Sequence, residues 1–299
     1  MQFRPATRLM DNAYLLLILT AAFWSGNFVV GRGIHDTVPP ITLAWCRWMI
    51  AFLIVFPFAL RYLRQDWPAL KANAGILILL GIMGIGCFNS FAYIGLNDTT
   101  ALNALVLQSS GPVFIAMATF ICFGDRISRR QALGILISLT GALVIVARGE
   151  PGRLTALELN KGDTWIVAAF VTWAIYTAFL RMRPNIHTLS FLAVTFFVGI
   201  AANTPFLVME HLAGARMQPT VGAVLAILYV AIFPGLVAYI FYNRGVELIG
   251  ANRAAPFLHL VVLFGALLAI VLLGESLELY HVIGMALILP GVSLAARKP

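Results

Sequence analysis

Charged side chains are scarce in this chain. Asp, Glu, Lys and Arg together make up 11% of the 299 residues, whereas an ordinary soluble domain carries about a quarter. Hydrophobic residues make up 61%, and the mean hydropathy is +0.92. A soluble core could not bury this much apolar surface. The composition therefore excludes a soluble domain and indicates a membrane protein whose main partner is the lipid bilayer.

The chain also lacks the residue patterns of common active sites. Its three cysteines, Cys46, Cys87 and Cys122, lie in apolar runs without metal-ligand spacing, which predicts free thiols and no metal site. There is no phosphate-binding P-loop, no HExxH helix, no Gly-x-Ser-x-Gly elbow and no CxxC pair. We therefore expect neither an enzyme nor a cofactor.

Acidic residues are outnumbered, and the formal net charge is +8. Such a charge is common in proteins that bind nucleic acid. Here, however, the basic residues lie at the ends of apolar runs rather than in one patch. This distribution is typical of loops beside membrane spans, so we predict no nucleic-acid partner.

Ten apolar runs approach the roughly 20 residues that a helix needs to cross a bilayer. The predicted spans are 12–31, 40–60, 72–95, 100–123, 129–147, 163–181, 187–209, 220–243, 252–273 and 279–296. The predicted fold is thus an all-α membrane protein with ten transmembrane helices. Residues 1–147 and 163–299 hold five helices each, and a loop at 148–162 joins the two halves.

The two halves repeat one another at a spacing of 150 residues. The matched positions are Gly95-Leu96 with Gly245-Val246, Gly124-Asp125 with Gly274-Glu275, Gly134 with Gly284, Gly141 with Gly291, and, one residue out of phase, Trp24 with Trp173. Glycines seven residues apart share a helix face, which predicts close helix packing. A duplicated unit usually places its function where the two copies meet.

Lysine and arginine positions predict the orientation of the spans. With a cytoplasmic N-terminus, fourteen basic residues face the cytoplasm, five face the outside and Arg47 stays within the membrane. Both termini are then cytoplasmic. Because five spans per repeat is an odd number, the second repeat must be inverted. Matched loops agree, since loop 124–130 contains three arginines whereas its counterpart contains Glu275 and Glu278.

Two ionisable side chains stand out within the predicted spans. Arg47 is a candidate contact for a substrate carboxylate; the alternatives are snorkelling to the interface and an ion pair that fixes the bundle. His259, near the middle of the ninth span, is a candidate for proton transfer or substrate binding. The alternative is a neutral histidine that bonds to a neighbouring carbonyl.

Aromatic and amide side chains recur three or four residues apart, which places each pair on one helix face. The pairs are Trp24 with Asn27, Asn89 with Tyr93, Trp173 with Tyr176 and Tyr239 with Asn243, and Gln108 adds an amide in span four. Around a cavity they suit a flat, amphipathic solute, uncharged or zwitterionic. The alternative is that the rings form interfacial belts or pack in the core. Pro112 and Pro256 predict kinks or hinges in spans four and nine.

Several of these residues together resemble a known family. The matching features are the run Trp24-Ser25-Gly26-Asn27-Phe28, Arg47, the run Tyr93-Ile94-Gly95-Leu96, Pro112 and the Gly124-Asp125 turn, which are similar to the EamA-type repeat. The resemblance covers essentially the whole chain in two copies. It points to the ten-span drug/metabolite transporter superfamily, and within it to YddG-type exporters of aromatic amino acids in bacterial inner membranes. Asp125 stands where that family commonly has Glu, and the second repeat has no counterpart of Arg47.

The resemblance and the aromatic residues predict an inner-membrane exporter of amino acids, preferably aromatic or other bulky neutral ones, that works by alternating access. No Asp or Glu occupies the centre of a predicted span, which favours facilitated export over a carboxylate-driven antiport. One alternative is an exporter of a nucleotide sugar, a sugar phosphate or a drug, although a phosphate would require more cations than Arg47. Another is a membrane scaffold or a lipid-modifying enzyme. The oligomeric state does not follow from the sequence.

Overall fold

The computed structural model describes residues 9–99, 101–155, 160–273 and 276–297, which form helices and turns and contain no strand. The helices are α1 (Ala13–Gly33), α2 (Pro40–Ala72), α3 (Ala74–Asp98), α4 (Ala101–Ser109 and Gly111–Phe123), α5 (Arg129–Val146), α6 (Lys161–Met182), α7 (Thr188–Leu212), α8 (Val221–Ile249), α9 (Ala251–Ala254, Ala255–Leu258 and His259–Leu273) and α10 (Leu279–Ala296). A short helix, Gly152–Thr155, lies in the segment between the repeats. Gly274 and Glu275, which belong to the predicted repeat pattern, lie outside the described residues.

Eight helices in the described ranges are long and apolar enough to cross a membrane. The apolar stretches Ala13–Asn27 and Gly111–Phe123 are shorter. Large apolar side chains point away from the bundle, and Phe58, Ile121 and Leu212 are each more than two thirds exposed. Such surfaces are stable against lipid rather than water. The chain is therefore a multi-pass membrane protein.

The second helix extends well past its predicted end. Helix α2 continues to Ala72, although hydropathy ends the span at residue 60. The additional residues include Arg61, Arg64 and Lys71, which end the apolar run but are good helix formers. The apolar pattern therefore marks the end of the membrane span and not the end of the helix.

Helix α4 is interrupted at Ser110, close to the predicted kink. Pro112 has no backbone N–H and lies in the first turn of a new helical segment that begins at Gly111. The amides of Val113 and Phe114 both donate to the Ser110 carbonyl, at 3.0 and 3.1 Å. Pro256 similarly lies in a tight 3₁₀ turn inside α9. Both predicted irregularities are present, and a hinge role for either proline stays a prediction.

Two helices contain a π-helical stretch that the sequence did not predict. In α3 it spans Gly81–Cys87, and in α8 it spans Ala231–Val237. Each is seven residues long, and they are 150 positions apart, so the repeat relation superimposes them. π-Helical turns are rare and frequently occur at functional sites.

The most extensive helix packing joins the two repeats. Helix α5 packs on α10, α2 on α7, α6 on α3 and α1 on α8. The repeat relation exchanges the last two pairs and maps each of the first two onto itself. Along α5 and α10, Gly134 faces Ala295 and Gly141 faces Gly284, so these helices are antiparallel. Equivalent helices of the two repeats therefore run in opposite directions.

The predicted close packing of the small-residue faces is confirmed. A Cβ atom at Gly141 would lie 2.7 Å from the Gly284 carbonyl oxygen, and one at Gly134 would lie 2.7 Å from the Gly291 carbonyl oxygen. Real Cβ atoms do not approach backbone this closely. Only glycine at these positions permits the two helix backbones to touch.

We predict that Gly141→Ala lowers the free energy of unfolding by roughly 1–3 kcal/mol, because α5 and α10 must separate to accommodate the methyl group. The matched control is Gly265→Ala in α9, where an added Cβ meets no atom within 4 Å. The control should be neutral or slightly stabilising, since alanine favours helix over glycine. Thermal unfolding in detergent, followed by size-exclusion chromatography, measures both. Equal unfolding midpoints for the two variants would show that the close packing contributes nothing.

Candidate functional site

A buried arginine on α2 is the centre of a polar group. Arg47 Nη1 shares its hydrogens among Asn27 Oδ1 at 2.7 Å, Asn89 Oδ1 at 2.8 Å and Tyr93 Oη at 2.9 Å. The Tyr93 hydroxyl donates to Asn27 Oδ1 at 2.9 Å. These four residues, from α1, α2 and α3, are called the Arg47 group below. Three residues that lie 20 to 46 positions from Arg47 in sequence thus meet at its guanidinium.

No counter-charge accompanies Arg47 in the described part of the chain. Its side chain is 1% exposed, and none of the ion pairs there involves it. Its hydrogen-bond partners are uncharged, and its Nε makes no hydrogen bond. Burying a guanidinium without a carboxylate costs on the order of several kcal/mol. Membrane proteins retain such charges mainly where a substrate, an ion or a polar network needs them.

Six aromatic rings pack beside the Arg47 group. This aromatic cluster consists of Trp24, Trp48, Trp173, Tyr176, Tyr239 and Tyr242. Trp173 is central, with ring centroids 5.1 Å from Trp24 and 5.6 Å from Tyr239. Trp48 links the two groups, since its ring lies 4.9 Å from Tyr239 and 4.8 Å from Arg47 Cζ. A cation therefore lies one ring away from a large apolar and polarisable surface.

Each repeat contains a hydrogen bond between a tyrosine and an asparagine at equivalent helices. In the first repeat, the Tyr93 hydroxyl of α3 donates to Asn27 Oδ1 of α1. In the second, the Tyr176 hydroxyl of α6 donates to Asn243 Oδ1 of α8 at 2.7 Å. Helices α1 and α6 are equivalent, as are α3 and α8, so the amide and the tyrosine have exchanged helices. The bond is preserved, whereas among the described residues a guanidinium is hydrogen-bonded to it only in the first repeat.

The π-helical stretches supply backbone carbonyls to the aromatic cluster. The Tyr239 hydroxyl donates to the Gly84 carbonyl at 2.6 Å, and Trp24 Nε1 donates to the Pro234 carbonyl at 3.0 Å. Gly84 and Pro234 are equivalent positions, 150 residues apart. Trp173, the counterpart of Trp24, makes no hydrogen bond through its buried Nε1. The two carbonyls are thus bound by donors of different kinds.

A cleft of about 750 Å³ opens at one end of the bundle, where α6 and α8 end and α7 begins. Its lining includes Thr177, Asn243 and Val246. Asn243 bonds Tyr176, and Thr177 Oγ1 lies 3.0 Å from the Tyr242 hydroxyl. The cleft therefore reaches from the surface to the aromatic cluster, which separates it from the Arg47 group.

The mouth of the cleft carries mixed charge. Arg181 pairs with Asp125 at 2.6 Å, Arg244 pairs with Glu247 at 3.1 Å, and Arg183 lies 3.9 Å from Glu247. Burial lowers the pKa of the Arg183 guanidinium, and the Glu247 carboxylate opposes this shift. Arg244 also pairs with Asp11 at 3.1 Å, so three arginines face three carboxylates and their charges balance.

The opposite end of the bundle is closed by two carboxylates. Glu210 of α7 accepts hydrogen bonds from the amides of Ile41 and Thr42, at 2.9 and 2.8 Å, and from the Thr42 hydroxyl at 2.7 Å. A carboxylate at a helix N-terminus is stabilised by the unpaired amides there. Asp163 of α6 accepts a hydrogen bond from the Thr99 hydroxyl. These contacts hold α2 to α7 and α3 to α6.

Both ring nitrogens of His259 form hydrogen bonds, one to α4 and one to α5. Its Nε2 lies 2.8 Å from the Ser109 carbonyl oxygen, and its Nδ1 lies 2.8 Å from Ser138 Oγ. Because a carbonyl only accepts, Nε2 carries the proton and Nδ1 accepts from the serine. The Ser109 carbonyl needs this donor, since the Val113 amide turns to Ser110 instead. The histidine thus donates to a carbonyl that no longer receives the Val113 amide.

The EamA-like transporter family profile matches residues 11–147 and 160–297, nearly the whole chain in two copies. The chain belongs to the EamA-like transporter family. A solved structure that covers 95% of this chain and 96% of its own has a TM-score of 0.72 at 19% identity, which shows a shared fold.

Several curated proteins of this family type align along nearly their whole length. An uncharacterized transporter, YyaM, of Bacillus subtilis is 26% identical, over 95% of this chain and 93% of its own length. Two proteins named as probable amino-acid metabolite efflux pumps are each 27% identical, over 93% of this chain and 92% of their own length; they come from Salmonella typhimurium and Escherichia coli K12. Membrane transport is thus the activity that the named relatives share.

This EamA-like transporter brings together most, but not all, of the predicted site residues. Those that meet are Asn27, Arg47, Asn89 and Tyr93 in the Arg47 group, and Trp24, Trp173, Tyr176 and Tyr239 in the aromatic cluster, with Asn243 attached. His259 bonds to α4 and α5 instead. Gln108 is buried in α4, and its Oε1 makes no hydrogen bond.

Sequence reasoning missed three contributors. Trp48 and Tyr242 belong to the aromatic cluster, and Glu210 closes the far end of the bundle. Tyr242 follows Tyr239 by three residues, so the same spacing rule that singled out Tyr239 indicates Tyr242 as well. No local signal identifies Glu210, because its partners are 168 and 169 residues away.

We predict that His259→Leu destabilises the fold by about 1–3 kcal/mol, because the Ser109 carbonyl and the Ser138 hydroxyl each lose a buried partner. Thermal unfolding in detergent measures this loss. The matched control is His211→Leu, since His211 is partly buried and bonds one carbonyl of its own helix. A His259→Leu variant as stable as the wild type but inactive in transport would instead place His259 in the transport mechanism.

Proposed function

We propose that this transporter exports amino acids by alternating access, with a preference for aromatic and other bulky neutral side chains. The observation that carries the proposal is the buried Arg47, held by uncharged partners, beside six aromatic rings. The names of the two efflux-pump relatives support the same class of solute. Facilitated export is favoured, since Asp163 is the only buried acidic residue in the described ranges and it caps α6.

The Arg47 group and the aromatic cluster match the two ends of an amino acid, the carboxylate and the side chain. A guanidinium presents a planar set of donors that matches the two oxygens of a carboxylate. The rings of Trp24, Trp173 and Tyr239 offer offset and edge-on stacking to an aromatic or bulky apolar side chain. Trp48 contacts both the cation and Tyr239, so one solute molecule of amino acid size can span the two groups.

The cleft and the closed end define one access state of the proposed cycle. We place the cleft on the cytoplasmic side, because Arg181, Arg183 and Arg244 surround it and basic residues concentrate in cytoplasmic loops. This gives cytoplasmic termini, ten spans, two inverted repeats at 1–147 and 163–299, and a location in the bacterial inner membrane. Pro112 and Pro256 are candidate hinges between this state and the outward-open one.

The alternatives are less well supported by the described residues. A nucleotide sugar or sugar phosphate carries about two charges on its phosphates. Arg47 is the only buried Lys or Arg in the described ranges. A non-transport scaffold or a lipid-modifying enzyme has no need for a cleft of about 750 Å³ that reaches the aromatic cluster.

We predict that liposomes containing the purified protein release labelled phenylalanine faster than protein-free liposomes. Arg47→Gln should slow this release by roughly tenfold or more, because charge-assisted hydrogen bonds are worth about 1.5–3 kcal/mol. The matched control is Arg153→Gln, which removes only a surface pair with Glu150 and should leave the rate unchanged. Each variant is first checked for a wild-type elution volume. Release of every neutral amino acid at the protein-free rate contradicts the proposed substrate class.

A further inference from the structure

The donors and acceptors around Arg47 are unevenly distributed. Arg47 Nε and Trp48 Nε1 are buried donors without a hydrogen bond. The acceptors nearby, Asn27 Oδ1, Asn89 Oδ1 and Tyr93 Oη, are already bonded to the guanidinium. A buried donor without a partner favours a ligand that brings acceptors.

No described residue offers a negative charge to a substrate ammonium at this site. Asp163 is the only buried carboxylate of the described ranges, and it accepts from Thr99 and from the Asn160 amide at the N-terminus of α6. The other described carboxylates are partly or fully exposed. An ammonium that enters the site therefore finds neutral acceptors only, and it faces the like charge of Arg47.

We propose that the site selects monocarboxylates with an apolar body, and that the carboxylate is required whereas the ammonium is dispensable. This inference rests on the proposed function only because it concerns the same binding site. Deaminated or N-acylated amino-acid derivatives then bind as well as the amino acids themselves. Cationic amines and quaternary ammonium drugs do not bind, because the described residues give the site one fixed cation and no counter-charge.

The test compares three ligands of one shape on the purified wild-type protein in nanodiscs, by calorimetry. L-phenylalanine has both charges, 3-phenylpropionate lacks the ammonium and 2-phenylethylamine lacks the carboxylate. We expect the dissociation constant of 3-phenylpropionate to lie within about threefold of that of phenylalanine. 2-Phenylethylamine should bind at least about thirtyfold more weakly, because it loses one charge-assisted contact. Arg47→Lys should weaken both acids by about tenfold, since an ammonium cannot form the planar fork.

The outcomes separate this inference from the proposed export of amino acids. Binding of 3-phenylpropionate without binding of phenylalanine supports the inference and contradicts amino-acid export. Export of phenylalanine together with equal binding of 2-phenylethylamine supports export and overturns the inference. Failure of all three ligands to bind overturns the inference as well.

A second inference follows from the π-helical carbonyls. The Gly84 carbonyl is bound by Tyr239, and the equivalent Pro234 carbonyl is bound by Trp24. The repeat counterparts of these two donors are Asn89, 150 positions before Tyr239, and Trp173. Asn89 Nδ2 and Trp173 Nε1 are both buried and have no partner at hydrogen-bond geometry. These two unbonded donors are therefore the repeat counterparts of Tyr239 and Trp24.

Inverted repeats reach opposite access states by exchanging their conformations. We infer that the two carbonyls exchange donors in this step. When the cleft closes and the far end opens, Trp173 replaces Tyr239 on the Gly84 carbonyl, and Asn89 replaces Trp24 on the Pro234 carbonyl. The inference rests on alternating access and not on the identity of the substrate.

The test uses one substitution at two equivalent positions, without substrate. Trp24→Phe removes a donor of the present state, and Trp173→Phe removes a donor of the opposite state. Reporter cysteines replace Val246, which lines the cleft, and its counterpart Leu96 near the closed end, in a variant without the three native cysteines. Both side chains are buried, at 5% and 4% exposed, so each labelling rate reports how often its end opens. A membrane-impermeant maleimide, applied to protein in detergent, measures the exposure of each reporter.

We expect Trp24→Phe to slow labelling at 246 and to speed it at 96, and Trp173→Phe to do the reverse. Each labelling rate should change by about fivefold, which corresponds to the free energy of one neutral hydrogen bond. Shifts in the same direction for both variants, or no shift in either, would overturn the exchange. Because no substrate is present, failure of phenylalanine export leaves this result unaffected.

Discussion

The burial of one positive charge without a described counter-charge shapes the centre of this molecule. Arg47 lies about two turns into α2, too deep for its guanidinium to be left unsatisfied in hydrocarbon. Helices α1 and α3 accordingly turn Asn27, Asn89 and Tyr93 toward it. These neutral partners stabilise the cation without cancelling its charge. A carboxylate in their place would neutralise the site, whereas amide and phenol oxygens keep it attractive to an anion. In the proposed function, the aromatic cluster one ring away then determines what kind of anion fits.

Around this asymmetric centre the scaffold is close to symmetric. Glycine faces let α5 and α10 touch, and the π-helical stretches of α3 and α8 occupy equivalent positions. The Tyr93–Asn27 bond has its counterpart in Tyr176–Asn243. The access to the two ends is not symmetric: a cleft opens at one end, and Glu210 closes the other. A symmetric scaffold in an asymmetric state is what the exchange of conformations between inverted repeats requires.

Much of the fold could be predicted from local sequence, because hydropathy, charge at helix ends and glycine spacing each act over one or two turns. The Arg47 group followed from spacing too, since Asn27 and the Asn89–Tyr93 pair lie on polar helix faces. Other features depend on distant contacts. Trp48 lies in an apolar run, so its local sequence does not distinguish it from a lipid-facing tryptophan. Only the distant rings that pack around it show its place in the aromatic cluster. The two π-helical stretches have no common sequence pattern, since Gly81–Cys87 is rich in glycine whereas Ala231–Val237 contains Pro234. The hydrogen bond of His259 depends on the Ser109 carbonyl at the break in α4, which the sequence marks only through Pro112.

The most direct test of a substrate carboxylate at Arg47 is nitrogen-15 NMR of the arginine Nε–Hε groups in nanodiscs. The Arg47 resonance is assigned by its loss in Arg47→Lys. Because Arg47 Nε has no hydrogen bond in this structure, its Hε resonance should move downfield as 3-phenylpropionate binds, while those of the arginines at the cleft mouth change little. Tryptophan fluorescence in the same titration reports binding at the aromatic cluster. An unchanged Arg47 resonance when the fluorescence shows saturation would contradict the account.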